Sequence, residues 1–190
     1  MLEQRGIRTS YLLMPVFIIL SILLLTGCTS STTPSGPTGS ISEFHLPTSS
    51  VPEGIAAGPD GNLWFTEKVS NKIGRITPQG KITEFSLPTA NGFPEGITVG
   101  PDGNLWFTEL AGNIGRITPQ GTITEFPLPA FDNFPREIVR GPDGNLWFTE
   151  SVGELGRVTP QGTITEFPLP APSIAGDMAA GADGALWFTD

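Results

Sequence analysis

Four acidic residues recur at one place in a repeated segment. Glu67, Glu109, Glu150 and Asp190 each close a Leu-Trp-Phe-Thr run, at intervals of 42, 41 and 40 residues. Carboxylates gathered from successive repeats would suit a hard cation held by oxygen ligands. The competing reading pairs each glutamate with the arginine that returns on the next strand, Arg75, Arg116 or Arg157. A second acidic set, Asp60, Asp102, Asp143 and Asp183, lies in Asp-Gly and is read as turn-forming, with calcium ligation as the alternative. Trp64, Trp106, Trp147 and Trp187 share one strand-centre position, which suits packing between repeats better than a sugar-binding stripe. Phe93, Phe131 and Phe134 stand in variable connections and, with Arg136, are the candidates for contact with a ligand. Arg136 and Arg140 give the third repeat a local basic spot. The sole histidine, His45, aligns with Ser86, Pro127 and Pro168 and reads as a strand surface residue, so no catalytic residue is assigned.

The elements that must position these groups follow from the repeat. Ile73-Gly-Arg-Ile-Thr-Pro-Gln-Gly80 keeps step with the Trp-Phe segment and returns at 114–121 and, as Leu155, at 155–162. Ile82-Thr-Glu-Phe-Ser-Leu87 recurs at 123–128 and 164–169, with an early copy at 41–46. The sequence period divides residues 41–190 into units 41–80, 81–121, 122–162 and a partial 163–190. Each unit reads as four short strands, near 54–57, 62–66, 72–77 and 81–87 in the first copy, separated by Gly-Pro-Asp-Gly and Thr-Pro-Gln-Gly turns. An unbroken Leu-Trp-Phe in a short strand implies cover on both faces. Four-stranded units of about 41 residues, each buried between neighbours, are blades of an all-β propeller. In such blades the whole units run 52–87, 93–128 and 135–169, and about three and a half blades are present. The turns joining strands one and two, and three and four, barely change between copies; the other two connections vary and share one face of the disc, where function is expected.

The repeated Gly-Pro-Asp-Gly-Asn-Leu-Trp-Phe-Thr-Glu, with Ile-Gly-Arg-Ile-Thr-Pro-Gln-Gly and Ile-Thr-Glu-Phe, resembles the streptogramin B lyases, also called virginiamycin B lyases, over residues 41–190. The resemblance implies a seven-bladed propeller that opens a cyclic depsipeptide antibiotic at its ester by elimination, with Mg2+ as cofactor. In that chemistry a base removes the proton α to a carbonyl while the metal polarises the carbonyl and the carboxylate leaves. The family's catalytic histidines belong to later blades, and none matches His45. The chain is therefore read either as a lyase or fragment of one, or as a non-catalytic module that binds a small molecule, peptide or protein. A truncated reading frame, or two copies completing one ring, would account for the open array, whose edges invite self-association.

The amino terminus carries an address. Arg5 and Arg8 precede an apolar run from Leu12 to Leu25, which ends at Leu25-Thr26-Gly27-Cys28. Residues 1–28 read as a signal peptide, too short in its apolar part to span a bilayer comfortably. Leu-Thr-Gly-Cys resembles the bacterial lipobox, which implies lipidation at Cys28 and a membrane-anchored, extracytoplasmic protein. Residues 29–40, all Ser, Thr, Pro or Gly, form a tether. One cysteine in 190 residues excludes an internal disulfide framework and a Cys-based zinc site. Net charge is −9, and −10 beyond residue 28 (8 basic against 18 acidic groups), which argues against nucleic acid bound through its phosphates.

Overall fold

The structure is a computed structural model that describes residues 5–7, 43–46, 50–130 and 133–190. Cys28, the tether and Phe131 lie outside these residues. The chain divides into two units, one of residues 1–9 with 46–190 and one of residues 10–45.

The first unit is all-β, a partial propeller. β2 (Pro52–Ala57), β3 (Leu63–Glu67), β4 (Lys72–Ile76) and β5 (Ile82–Ser86) form the first four-stranded antiparallel sheet. β6 (Pro94–Val99), β7 (Leu105–Glu109), β8 (Asn113–Ile117) and β9 (Ile123–Pro127) form the second. β10 (Pro135–Arg140), β11 (Leu146–Glu150), β12 (Glu154–Val158) and β13 (Ile164–Pro168) form the third. Hydrogen bonding thus follows the blade phasing, not the unit boundaries at 80/81 and 121/122. The fourth sheet is β14 (Met178–Ala180), β15 (Leu186–Thr189) and β1 (Arg5–Ile7), with β1 parallel to β15 where the other blades carry an antiparallel third strand. β1 comes from the segment read as a signal peptide. The early copy at 41–46 does not form a strand over its described residues 43–46, and His45 there is exposed, so its reading as a strand residue is corrected.

Side-chain alternation explains why Leu-Trp-Phe is apolar throughout. In β7, Leu105 and Phe107 pack towards the first blade against Trp64 and Ile73, whereas Trp106 packs towards the third against Ile138, Leu146 and Phe148. Trp147 repeats the arrangement with Met178 and Phe188. The core therefore lies between sheets. Leu63 is 45% exposed while its counterparts Leu105 and Leu146 are fully buried, so burial at this position comes from the neighbouring blade. Glycine is required where a ring lies over the neighbouring strand of its own sheet: a Cβ at Gly115 would fall inside contact distance of the Phe107 ring, its cross-strand partner.

The inner strands β2, β6, β10 and β14 stand side by side along the axis. In the first three, the pairing register slips between Pro52 and Ile55, Pro94 and Ile97, and Pro135 and Ile138. Such bulges turn side chains out of the ladder and leave backbone groups without ladder partners. The repeated threonine restores them. Gly54 N–H donates to Thr66 Oγ1 (2.9 Å), whose hydroxyl donates to the Glu95 carbonyl in the next blade (2.7 Å). Thr108 likewise accepts from Gly96 N–H and donates to the Arg136 carbonyl. Thr149 and Thr189 accept from Glu137 and Asp177 amides.

Candidate functional site

The bulged residues open onto the axis. Glu53 and Gly54, Glu95 and Gly96, Arg136 and Glu137, and Gly176 and Asp177 line one cavity of about 260 Å³ at the variable-loop end of the inner strands. Lys68 Nζ lies 3.3 Å from Glu95 and 3.6 Å from Glu53, and Arg136 Nη1 lies 3.8 Å from Glu95. Four carboxylates thus face two cations. Burial, then the charges of Asp177 and Glu95, push the Glu137 carboxyl above its ordinary range.

Of the ligand-contact candidates, Arg136 lines the cavity and also donates from Nε to Ser151 Oγ (2.9 Å). Phe93 and Phe134 each immediately precede an inner strand, are 41% and 45% exposed, and hold left-handed backbones with φ of 51° and 44°. That conformation is an outlier for a bulky side chain and costs roughly 1–3 kcal/mol, a pattern concentrated at ligand sites. Arg140 ends β10 at the opposite end from Arg136, so the two do not form one basic spot. The four axial carboxylates, Glu53, Glu95, Glu137 and Asp177, were not singled out by sequence. Their signal was the shift from Pro-Glu-Gly to Pro-Arg-Glu and Ala-Gly-Asp at strand starts, legible only once the bulge is known.

Glu67, Glu109, Glu150 and Asp190 do stand at strand ends on the variable face, but they do not converge. Glu67 accepts from Ser70 Oγ (2.7 Å), Glu109 from Asn113 Nδ2 (3.2 Å), and Asp190 from Ser173 Oγ and Ile174 N–H. Nor do the glutamates pair with arginines. Their cross-strand neighbours are Lys72, Asn113 and Glu154, while Arg75, Arg116 and Arg157 oppose the tryptophans. Among the described residues, the carboxylates that do gather are Glu150, Glu154 and Glu166 of the third blade, with one oxygen from each lying within 4.8 Å of the others. Burial, then Glu166 and Glu154, push Glu150 up to about 8; burial and Glu125 push Glu109 up to about 8.

The turn aspartates anchor the core. Asp60 Oδ1 accepts from Asn62 N–H (3.2 Å) and Trp64 Nε1 (3.1 Å), and Asp102 and Asp143 repeat this. Burial raises these carboxyls, but the donated bonds outweigh it and hold all three below the ordinary value. Trp64, Trp106 and Trp147 are buried, which excludes them from a sugar-binding surface; Trp187 is half-buried.

Comparison with known proteins fits this blade architecture to a family. The sequence profile of the virginiamycin B lyase family matches residues 32–190. The chain belongs to that family. It is 51% identical to the virginiamycin B lyase of Bordetella pertussis over 39 residues, about one repeat, or 20% of this chain and 13% of that protein. A solved streptogramin B lyase superposes with a TM-score of 0.77 at 41% identity, over 80% of this chain and 52% of that one. A catalytically inactive histidine-to-alanine variant of virginiamycin B lyase from Staphylococcus aureus, solved with quinupristin, superposes with a TM-score of 0.78 at 47% identity, over 80% of this chain and 54% of that one. The chain thus spans about half the length of these solved lyases and a small part of the curated relative.

Proposed function

We propose that this chain acts in the manner of its family, taking a cyclic depsipeptide of the streptogramin B type onto its axial, loop-bearing face for opening at the ester by elimination. The observation that carries the reading is the axial cavity lined by Arg136 and Glu137, whose inner strands β6 and β10 are each entered through an exposed phenylalanine in left-handed backbone. Phe93 and Phe134 would cover apolar parts of the ring, and Arg136 would hold a carbonyl or the departing carboxylate. Elimination moves the α-proton to a base and breaks the ester C–O bond without consuming water, so the product is an isomer of the substrate. Glu137 is the group in the mouth suited to hold that proton.

A second reading, binding without turnover, is favoured by His45. The relative inactivated by loss of a histidine depends on an imidazole, whereas the one in this chain is exposed in residues 43–46 and belongs to no described strand. One experiment separates the two. Purified chain is incubated with quinupristin and Mg2+, with binding followed by calorimetry and products by chromatography coupled to mass spectrometry. A new peak of unchanged mass supports the lyase; saturable binding with substrate recovered intact supports the binding module; neither sinks both. The protein is also proposed to be an extracytoplasmic lipoprotein, so Cys28→Ala should move it from the membrane to the soluble fraction.

A further inference from the structure

We propose that Glu150, Glu154 and Glu166 form a binding site for one hard divalent cation, Ca2+ or Mg2+, in the third blade. The spacing suits it. Carboxylate oxygens within 4.8 Å of one another fit around Ca2+, whose oxygen ligands at 2.3–2.6 Å can lie up to about 5 Å apart. Mg2+, at about 2.1 Å, needs every pair within about 4.2 Å and would keep several waters.

Two observations separate this cluster from a chance group of acids. The first is Glu150 itself. It is fully buried, and neither carboxylate oxygen accepts a hydrogen bond within 3.5 Å; the nearby Asn133 amide, which offsets only part of the upward push on Glu150, is directed to Glu154 and Glu166. Glu67 and Glu109 are equally buried, but each has one oxygen partnered. A buried carboxylate with no donor is strongly disfavoured unless a proton or a cation compensates it.

The second is the comparison between blades. Glu150, Glu154 and Glu166 occupy the positions of Glu67, Lys72 and Glu84 in the first blade, and of Glu109, Asn113 and Glu125 in the second. The formal charge of the trio therefore runs from −1 through −2 to −3. In the first blade the protein supplies the cation: Lys72 Nζ lies 2.6 Å from Glu84. In the second, Asn113 donates to Glu109. In the third, the same strand position adds a carboxylate, and Asn133 Nδ2 reaches Glu154 (3.3 Å) and Glu166 (3.1 Å) with no positive charge. A metal ion takes the place that the lysine ammonium fills two blades earlier. Because Asn133 precedes Phe134 and Arg136, the ion would also fix the connection leading into the axial mouth. The site does not depend on the depsipeptide reading.

The test uses the detergent-solubilised full chain, stripped with chelator and titrated at pH 8 with CaCl2 or MgCl2 by calorimetry, and with Mn2+ by electron paramagnetic resonance. One saturable site per chain is expected, with Kd on the order of 10⁻⁴–10⁻³ M or tighter. Glu154→Lys, which installs the first blade's residue in a setting that already folds with it, should weaken binding at least about tenfold. Glu166→Gln, a near-isosteric change, should also weaken it. Lys72→Glu should add a second site. Absence of saturable binding to roughly ten times the weaker expected Kd, or binding untouched by both Glu154→Lys and Glu166→Gln, would overturn the proposal.

Discussion

Trp64 and Arg75 oppose each other across β3 and β4, with the guanidinium carbon 5.3 Å from the indole ring centroid and 5.5 Å from that of Phe85. Trp106–Arg116–Phe126 and Trp147–Arg157–Phe167 repeat the stack. Arg75 Nη1 also donates to the Pro119 carbonyl (2.9 Å) and Arg116 Nη1 to that of Pro160 (3.3 Å), each in the Thr-Pro-Gln-Gly turn of the next blade. The arginine is thus a fastener between blades at the invariant face, which explains why that turn varies so little. Arg116→Ala removes a cation–π contact and a charge-assisted bond. The expected loss is about 1–3 kcal/mol in urea denaturation, with partial recovery in Arg116→Lys. A loss below about 0.5 kcal/mol, within ordinary surface-substitution scatter, would contradict that role.

Thr108 makes the same argument for the functional face. Its buried hydroxyl is the shared partner of Gly96 N–H and the Arg136 carbonyl, and so holds two bulges in register. Thr108→Val keeps the shape and strands both backbone groups. The cost should be roughly 2–6 kcal/mol, from about 1–3 for each of the two unsatisfied groups. If the axial face takes the depsipeptide as proposed, its binding should also weaken in the fraction that remains folded, because Arg136 loses its backbone anchor. Thermal melts and calorimetry on the same preparation check both.

The blades were legible in the sequence because their signal is local and repeated. Trp64, Asp60 and Gly61 state a strand and its turn within a few residues, and their copies confirm the period. The strand spans differ from expectation by at most two residues. The site was less legible because a bulge is a relation between two strands. Nothing near Glu95 announces that Pro94 and Ile97 flank a register slip, or that Glu95 therefore faces the axis. The partner of Glu67 was misread for a related reason. Arg75 returns on the correct strand, but the antiparallel register sets it opposite Trp64 and gives Lys72 to Glu67. Glu150 was grouped by its repeat position with Glu67, Glu109 and Asp190, whereas the carboxylate oxygens that lie near it come from Glu154 and Glu166 of its own blade.

Glu109 and Glu150 should both contribute to the pH dependence of stability. The Glu109 carboxyl is raised from 4.5 to about 8 by burial and by Glu125, with Asn113 opposing. The native state therefore keeps a proton through the window in which the unfolded chain has lost it. Its contribution is fully present below about pH 4.5, falls as pH rises, and is gone above about pH 8, at up to about 1.4 kcal/mol per pH unit. Glu150 acts in the same direction. Metal-free protein should thus resist urea better at pH 6 than at pH 9, and Glu109→Gln should flatten the slope. A slope of the opposite sign, or one unchanged by Glu109→Gln, would remove this assignment.

Phe93 and Phe134 offer a test of whether the axial face was shaped for a ligand. Asn71 and Asn91 adopt φ of 58° and 56° in the same protein, as asparagine does at little cost, whereas the phenylalanines hold 51° and 44°. Replacing them by asparagine relieves backbone strain and removes two exposed rings that contribute little to the core. Phe93→Asn and Phe134→Asn should therefore leave stability unchanged or raise it by about 1 kcal/mol each. If the rings are retained for contact with the depsipeptide, the same variants should lose about tenfold in affinity for quinupristin, the worth of burying part of an aromatic side chain. Loss of stability with unchanged affinity would make the rings structural and leave the axial cavity to recognise its ligand through charge alone.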